Sequence, residues 1–380
     1  MIQRDLHLQF SKRMFKGKAI IVLGPRQSGK TTVVKDFLAQ RKEPVLQLNG
    51  DDADVRALFA NATVAKMKLI VENNKILFID EAQRIDSIGI ALKIFTDQIK
   101  DVQIIASFSA LELATGIKEP LIGRMYEYFL FPLSFSELSN HFGVLEEGRD
   151  LEKRLLYGSY PEVVTHPGDE IELLKLLASS YLYKDLLAIQ KINKPALLDK
   201  ILKALAFQIG NEVSYSELGK TVGADNETVE RYIDLLEKCF VVFRLQAFSR
   251  NHRNEIKKTR KVFFWDNGVR NAIIGNFLPV ASRQDVGALW ENYLVSERMK
   301  LLNYGSMPPF SYFWRTLQQQ EIDYIEDRNG KIYAYEFKWS NNQKYKFPKT
   351  FINAYPEAET ELINKENYIE WFSEKLAPAK

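Results

Sequence analysis

Short apolar runs alternate with amphipathic segments over the first third of the chain. From about residue 17 to 135 these runs are apolar at nearly every position, which is typical of strands that are buried on both faces. We expect four strands, at Ala19–Leu23, Pro44–Leu48, Ile76–Ile79 and Val102–Ala106. Strands that alternate with helices in this way predict an α/β fold with a parallel sheet and crossover helices.

The next part of the chain has helical spacing. Leucines recur at helical intervals in Leu151–Leu156 and Ile171–Leu187, and we expect these helices to form a lid. Short helices at Ser216–Thr221 and Asn226–Lys238 then precede a strand at Phe240–Leu245. Two helices joined by a turn and followed by a strand are the order of a winged helix.

The pattern predicts four domains. The last segment combines an amphipathic helix at Leu289–Leu302 with aromatic strands, which predicts a second α/β domain. The predicted domains are an α/β sheet domain at 1–140, a helical lid at 141–195, a winged helix at 196–261 and a C-terminal α/β domain at 262–380.

Composition excludes several classes of protein. The single cysteine, Cys239, cannot form an internal disulfide, and no Cys/His cluster has zinc spacing, so structural zinc is not expected. The first residues lack the apolar core of a signal peptide and no apolar run is long enough to span a bilayer, so we expect a cytoplasmic protein with no membrane partner. The net charge of +3 is too small to indicate a nucleic-acid partner by itself.

The loop after the first strand carries a complete phosphate-binding motif, a P-loop or Walker A sequence. Glycines in such a loop let backbone N–H groups curl around phosphates, and the start of the following helix adds a favourable dipole. Lys30 would reach the terminal phosphates and the Thr31 hydroxyl would ligate Mg²⁺. The motif predicts ATP and Mg²⁺ as ligands, held by Gly24, Pro25, Arg26, Gln27, Ser28, Gly29, Lys30, Thr31 and Thr32.

A second motif, of the Walker B type, ends the third predicted strand. Asp80 and Glu81 follow the apolar run Ile76–Ile79. We expect Asp80 to complete the Mg²⁺ shell and Glu81 to polarise the attacking water. An ordinary strand that ends in two acidic residues is the alternative, and the preceding P-loop makes it the less favoured one.

A third candidate site lies in a predicted hairpin near the C-terminus. Asn329-Gly330 between alternating apolar runs is a strong two-residue turn signal. Counting five residues outward on each strand places Asp323 opposite Glu336, with Lys338 on the same face as Glu336.

Two carboxylates and a lysine predict a metal-assisted hydrolysis site. Asp323 and Glu336 would hold Mg²⁺ or Mn²⁺, Glu297 on the preceding helix would add a ligand, and Lys338 would orient or stabilise the nucleophile. The alternative is a solvated hairpin face on which Glu336 and Lys338 pair with each other, and the sequence leaves both open.

Several motifs together resemble one family. They are Gly24–Thr32, Phe78–Gln83, Gly123-Arg124 with Leu130–Glu137, and Tyr157–Glu162. With these motifs the chain is similar to the prokaryotic AAA-type P-loop ATPases that carry a C-terminal domain of unknown function. The resemblance implies a P-loop NTPase sheet followed by a tail that looks like the PD-(D/E)XK nuclease fold, whose motif positions fall on Glu297, Asp323, Glu336 and Lys338.

The same resemblance gives a role to Arg124. A guanidinium beside the γ-phosphate would act as an arginine finger or phosphate sensor, whereas a surface salt bridge is the alternative. If Arg124 acted on a neighbouring subunit, the protein would have to be an oligomer. The family tends to carry a Thr-Gly-Ser-Ser run after the fourth strand, where this chain has Ala106–Ser109, and Ser107 is the nearest substitute for the polar sensor.

Two functions remain open from the sequence. In one, an ATPase controls a tail that cleaves DNA or RNA; in the other, a nucleotide-gated switch binds a protein partner through a tail that cuts nothing. The predicted recognition helix begins with three carboxylates within Asp225–Glu230, which would repel phosphate and favour a protein contact. The basic stretch Arg250–Lys261 would follow a nucleic-acid backbone or serve as a solvated linker.

Overall fold

The chain folds into two compact units. The computed structural model describes residues 2–108, 118–189, 194–249, 260–305, 310–340 and 345–373. The first unit is Met1–Pro132 together with Lys238–Phe240, and the second is Leu133–Glu237 together with Val241–Lys380. Ser109 and most of the predicted basic stretch, residues 250–259, lie outside the described residues.

The first unit contains the predicted parallel sheet. Its strands lie in the order β2-β3-β4-β1-β5, and every neighbouring pair is parallel. The four predicted strands are confirmed to within two residues at each end, whereas the fifth was not predicted. The strands are β1 Ala19–Leu23, β2 Val45–Asn49, β3 Ile76–Asp80, β4 Gln103–Phe108 and β5 Met125–Phe129.

Helices cover this sheet and complete its core. Among the described residues they are α1 Leu6–Arg13, α2 Lys30–Ala39, α3 Ala53–Phe59, α4 Val64–Val71, α5 Ile88–Gln98 and α6 Lys118–Leu121, with a 3-10 turn at Ala82–Arg84. The strands are apolar at nearly every position because their side chains are buried, as in Ile20, Leu77 and Ile105, each fully shielded from water.

One aromatic residue of this unit comes from far along the chain. Phe240 lies in the short segment Lys238–Phe240. Its ring packs edge-on against Phe129 at 5.6 Å and against Phe131 at 5.8 Å, measured between ring centroids. These edge-to-face contacts are the favoured geometry for aromatic pairs, so Phe240 completes the aromatic cluster at the end of β5.

The second unit is built from helices and one mixed sheet. Its helices among the described residues are α7 Phe135–Phe142, α8 Val144–Arg149, α9 Leu151–Tyr157, α10 Pro161–Thr165, α11 Glu170–Ile189, α12 Pro195–Phe207, α13 Tyr215–Val222, α14 Asn226–Lys238, α15 Asn267–Ile274, α16 Val286–Tyr304, α17 Lys349–Ala354 and α18 Tyr368–Ser373, with a 3-10 turn at Val280–Ser282. No helix in the described part of the chain is both long and apolar enough to cross a bilayer.

The six-stranded sheet of this unit runs in the order β11-β10-β9-β8-β6-β7. Its strands are β6 Val242–Ala247, β7 Arg260–Phe264, β8 Phe310–Arg315, β9 Glu321–Arg328, β10 Lys331–Phe337 and β11 Glu359–Ile363. β6 and β7 pair antiparallel, and β6 continues the sheet by pairing in parallel with β8 through Gln246 and Tyr312.

The structural elements run across the predicted domain boundaries. The boundary expected after residue 261 falls inside β7, the one after 195 inside α12, and the one after 140 inside α7. The strand expected at Phe240–Leu245 as the wing of a winged helix corresponds to β6, which is part of the same sheet as the C-terminal hairpin. The local sequence pattern shows where a strand lies but not which distant strand pairs with it. The prediction therefore assigned the strands of one sheet to two different domains.

Candidate functional site: a P-loop and a buried acidic centre

The P-loop connects β1 to α2, as the sequence predicts. Gly29 has φ 92°, a left-handed conformation that favours glycine. A Cβ on Gly24 would lie 2.1 Å from the carbonyl oxygen of Leu130, so only glycine fits there. Both glycines are therefore required by the shape of the loop.

Lys30 is held inside this loop. Its Nζ donates hydrogen bonds to the carbonyl oxygens of Gly24 at 3.0 Å and Pro25 at 2.9 Å, and the residue is 6% exposed. Ser28 Oγ donates to the Pro25 carbonyl oxygen at 2.8 Å. The ammonium thus sits in the concave side of the loop, where a phosphate chain would meet it. Of the other predicted contacts, Gln27 and Thr32 are exposed and Arg26 is half-buried.

Three polar side chains meet at the carboxyl edge of the parallel sheet. Thr31 Oγ1 donates to Asp80 Oδ2 at 2.7 Å, and Ser107 Oγ donates to Asp80 Oδ1. The backbone N–H of Glu81 donates to Ser107 Oγ at 3.1 Å. These contacts form because β1, β3 and β4 are parallel neighbours, so their carboxyl ends share one edge. A hydroxyl beside a carboxylate is a donor set that fits Mg²⁺.

Glu81 has an unusual backbone conformation. Its φ is 47°, in the left-handed region, where non-glycine residues are uncommon and concentrate at functional sites. Gln83 Nε2 donates to Glu81 Oε2 at 2.5 Å. The carboxylate is therefore kept at the sheet edge by its own turn and by a neighbouring amide.

Arg4 forms hydrogen bonds that hold the P-loop in place, and this role was not predicted from the sequence. Its Nη1 donates to the Ser28 carbonyl oxygen at 2.7 Å and its Nη2 donates to the Phe131 carbonyl oxygen at 2.6 Å. The residue is 7% exposed. An arginine near the N-terminus has no sequence signal for this role, because its partners are backbone carbonyl groups 24 and 127 residues away.

Replacing Arg4 by alanine is expected to loosen the P-loop. Each lost hydrogen bond from a charged donor is worth about 1.5–3 kcal/mol, and two backbone carbonyl groups lose a partner. We expect a lower melting temperature and a KM for ATP raised by about tenfold, with a smaller change in kcat. Steady-state kinetics and thermal unfolding measure both.

The matched control is Lys12→Ala, which removes an exposed charge from the same N-terminal segment. It should behave as the unchanged chain does. Arg4→Lys should restore only part of the effect, since an ammonium lacks the fork of a guanidinium. An unchanged KM in Arg4→Ala would show that Arg4 does not shape the nucleotide site.

Arg124 lies at the opposite edge of the sheet from the P-loop. It precedes β5, and its carbonyl oxygen accepts a hydrogen bond from the N–H of Ala19 at 2.9 Å, at the start of β1. Five strand residues, or about 16 Å, separate that end of β1 from the loop. Arg124 Nε pairs with Asp97 Oδ1 at 2.8 Å on the surface, and this hydrogen bond lowers the pKa of Asp97. Arg124 therefore does not reach the P-loop of its own chain. The prediction that it acts there as an arginine finger is wrong.

The C-terminal hairpin has the predicted register. Arg328 pairs with Lys331 around the Asn329-Gly330 turn, and the pairing continues to Tyr324 with Tyr335. Continued outward by one residue, the same register would place Asp323 opposite Glu336, as the counting argument predicts. Asp323 Oδ2 also accepts a hydrogen bond from the N–H of Phe337 at 2.9 Å.

Lys338 and Glu336 form an ion pair at this end of the hairpin. Lys338 Nζ lies 2.6 Å from Glu336 Oε1. Burial, followed by the charge of Asp323, raises the pKa of Glu336 to about 7. The alternative prediction is right that Glu336 and Lys338 pair with each other, but the face is not solvated at Glu336, which is 4% exposed.

Glu297 lies in a different set of contacts. Its Oε1 pairs with Lys300 Nζ at 2.6 Å and its Oε2 accepts from the N–H of Phe135 at 2.6 Å. The helix residue that joins the hairpin carboxylates is instead Glu291. Six residues at 3.6 per turn separate the two glutamates by about 120° around α16, so both cannot face the same cluster. Glu297 is therefore not the helix carboxylate beside the hairpin, as the sequence had predicted, and Glu291 lies there instead.

A second lysine, which the sequence analysis did not single out, enters this cluster from β7. Lys261 Nζ lies 2.8 Å from Glu291 Oε1, in direct contact with Glu321 Oε1, and 4.0 Å from Asp323 Oδ1. Burial alone would lower the pKa of Lys261, but the charges of Glu291, Asp323 and Glu321 raise it above its usual value. We call Lys261, Glu291, Glu321, Asp323 and Glu336 the acidic centre.

The acidic centre does not fit the metal site expected from the sequence. Lys261 places an ammonium among Glu291, Glu321 and Asp323, and of these only Asp323 is an expected metal ligand. Within the described ranges, no group of three or more His, Cys, Asp or Glu side chains is arranged to hold a metal ion. We therefore propose no metal-dependent hydrolysis at this centre.

The carboxylates of α14 have local partners. Asp225 accepts a hydrogen bond from the N–H of Thr228 at 2.7 Å, and Glu230 lies 3.5 Å from Arg260. Arg244 pairs with Asp234 at 2.6 Å and with Glu237. Glu230, Asp234 and Glu237 of this helix are therefore paired with arginines of β6 and β7.

Comparisons with known proteins agree with the first unit. Residues 16–139 match the family described as AAA domain. Together with the five-stranded parallel sheet and the P-loop, this match defines a P-loop ATPase domain of the AAA type. Residues 148–279 match a domain of unknown function, DUF8612, and residues 286–378 match another, DUF4143.

Relatives that align over most of the chain occur in bacteria. An uncharacterized protein of Haemophilus influenzae is 28% identical over 356 residues, which cover 87% of this chain and 85% of the relative. One of Mycobacterium tuberculosis is 25% identical over 342 residues, covering 88% and 74%. Among solved structures, a Walker-type ATPase of Pyrococcus abyssi is 16% identical with a TM-score of 0.49, covering 72% of this chain and 96% of that one.

Proposed function

We propose that the protein hydrolyses ATP in a Mg²⁺-dependent reaction at the P-loop. The observation that carries this proposal is the contact of Thr31 with Asp80 at 2.7 Å, directly beside the loop that holds Lys30. A hydroxyl from the end of the P-loop and a carboxylate from the end of β3 are the pair that a nucleotide-bound Mg²⁺ requires.

Each residue has a defined task in that reaction. The loop N–H groups and the dipole of α2 would bind the phosphates, and Lys30 would exchange its carbonyl partners for phosphate oxygens. Thr31 and Asp80 would hold Mg²⁺, which neutralises developing phosphate charge when bound. Glu81 would orient the attacking water, and Ser107 would fix both Asp80 and the backbone of Glu81.

We further propose that the nucleotide state controls the second unit, which binds a partner and cuts nothing. The ammonium of Lys261 in the acidic centre supports this version. The carboxylates of Asp225, Glu227 and Glu230 at the start of α14 would repel phosphate, so they favour a protein over nucleic acid as the partner. The alternative is cleavage of DNA or RNA. It is favoured by the pairing of Asp323 with Glu336 and by the contact of Lys338 with Glu336 at 2.6 Å.

A single set of reactions tests both parts. Purified full-length protein is incubated with ATP, with Mg²⁺, Mn²⁺ or a chelator, and with single- and double-stranded DNA and RNA, alongside Asp80→Asn and Asp323→Ala. We expect phosphate release that needs the metal and falls by about 10²-fold or more in Asp80→Asn, without cleavage under any condition.

The outcomes separate the two proposals. Absence of both nucleotide binding and turnover would overturn the ATPase proposal. Cleavage that is lost in Asp323→Ala would overturn the binding version and establish the nuclease alternative, whereas ATP hydrolysis in Asp323→Ala should remain at the level of the unchanged chain.

A further inference from the structure

The acidic centre joins four elements of the second unit, and Glu336 belongs to β10. Lys261 lies on β7, Glu291 on α16, and Glu321 with Asp323 on β9. Its one fully enclosed cation is the ammonium of Lys261, whose side chain is 2% exposed. Carboxylates brought this close repel one another, and a positive charge among them reduces that repulsion.

The position of the ammonium is set by the backbone. Lys261 belongs to the antiparallel pair β6–β7, opposite Leu245, and forms an isolated bridge with Glu212 on its other side. Its Nζ also lies 5.6 Å from the centre of the Phe313 ring, a favourable cation–π distance. The lysine is therefore fixed by strand pairing at its backbone and by carboxylates and an aromatic face at its tip.

The remaining carboxylate of the centre has a separate cation. Glu336 pairs with Lys338, whose side chain is 29% exposed. Glu321 additionally lies 3.4 Å from Arg315 Nη1. Glu291, Glu321 and Glu336 thus each lie beside a side-chain cation of the same chain, whereas the buried Glu336 Oε2 has no hydrogen-bond partner among the described residues.

We infer that Lys261 is the resident cation of the acidic centre, supplying the charge that a divalent metal ion would otherwise provide. The second unit then holds Glu291, Glu321 and Asp323 together without Mg²⁺ or Mn²⁺. This inference deepens the partner-binding part of the proposed function, and it does not depend on ATP hydrolysis.

The test compares Mn²⁺ binding by full-length variants in the absence of nucleotide. All variants carry Asp80→Asn, so that the P-loop site contributes no metal binding. The parent is compared with added Lys261→Met, which keeps the length of the side chain and removes its charge. Lys331→Met is the matched control, because Lys331 lies in the same sheet with a side chain that is 51% exposed. Paramagnetic resonance of free Mn²⁺ and calorimetry measure binding.

We expect no Mn²⁺ bound by the parent or by the Lys331→Met control, and a single Mn²⁺ bound by the Lys261→Met variant. Without metal, that variant should melt about 10 °C lower, because it leaves buried carboxylates without their cation, and Mn²⁺ should restore part of the loss. A folded Lys261→Met variant that takes up no Mn²⁺ would count against the inference.

The parent also provides a test that does not require the variant to fold. If the parent binds Mn²⁺ and Asp323→Asn removes that binding, the centre is a metal site and the inference is overturned. If neither the parent nor its Asp323→Asn form binds Mn²⁺, the inference is supported. Failure of the ATPase proposal would leave all these results unchanged, since no ATP is present.

Discussion

Replacing Lys30 by alanine is expected to abolish ATP turnover. The ammonium is bound by the carbonyl oxygens of Gly24 and Pro25 inside the P-loop, where the terminal phosphates are expected to lie. Loss of such a charged donor in a water-poor site costs about 10²–10³-fold in rate, and weaker phosphate binding lowers kcat/KM further. Phosphate release and the binding of a fluorescent ATP analogue measure the two effects.

The control for this experiment is Lys35→Ala. Lys35 lies on the same helix, α2, with an exposed side chain, so its loss removes an equal charge without touching the loop. Turnover in Lys35→Ala should match that of the unchanged chain. Normal ATP turnover in Lys30→Ala would contradict the assignment of the P-loop as the reaction site.

Replacing Glu81 by glutamine is expected to stop hydrolysis while leaving ATP bound. Glutamine keeps the size of the side chain and the contact with Gln83, but it cannot accept a proton from water. Loss of a general base lowers kcat by about 10²–10⁴-fold. The dissociation constant for ATP should change little. Glu81 forms its hydrogen bonds with Ser107 and Gln83, not with the P-loop. Single-turnover kinetics and equilibrium binding separate the two quantities.

Glu72→Gln is a suitable control for Glu81→Gln. Glu72 is also in a left-handed conformation, with φ 45°, but its side chain is exposed at the end of α4. It tests whether the change from carboxylate to amide at such a backbone position disturbs the fold. A kcat in Glu81→Gln that stayed within twofold of the unchanged chain would remove Glu81 from the mechanism.

Local chemistry explains which parts could be predicted from the sequence. The P-loop and the Asp80-Glu81 motif depend on short stretches whose residue types are imposed by phosphate geometry, and the structure brings Thr31 and Asp80 together as expected. The hairpin register could be counted because Asn329-Gly330 permits only a short turn. In these cases, residues that are close in sequence determine the local structure.

Other features depend on contacts between residues distant in sequence. β5, Met125–Phe129, is half-buried and contains Glu127, so its composition does not mark it as a strand of the central sheet. Arg4 acts through backbone carbonyl groups, which leave no trace in residue types. The choice of Glu291 over Glu297 follows from the direction in which α16 faces the sheet, and Lys261 was assigned to a basic stretch because its neighbours in sequence are basic.

The segment Lys238–Phe240 has a consequence for experiments that divide the gene. A fragment that stops at Pro132 contains the P-loop, Asp80, Glu81 and Arg4, yet it lacks Phe240 and would leave Phe129 and Phe131 without their edge-on partner. The minimal ATPase is thus discontinuous in the gene. Recombination that exchanges everything after residue 132 would also exchange a part of the nucleotide domain, so the two units are expected to be inherited together.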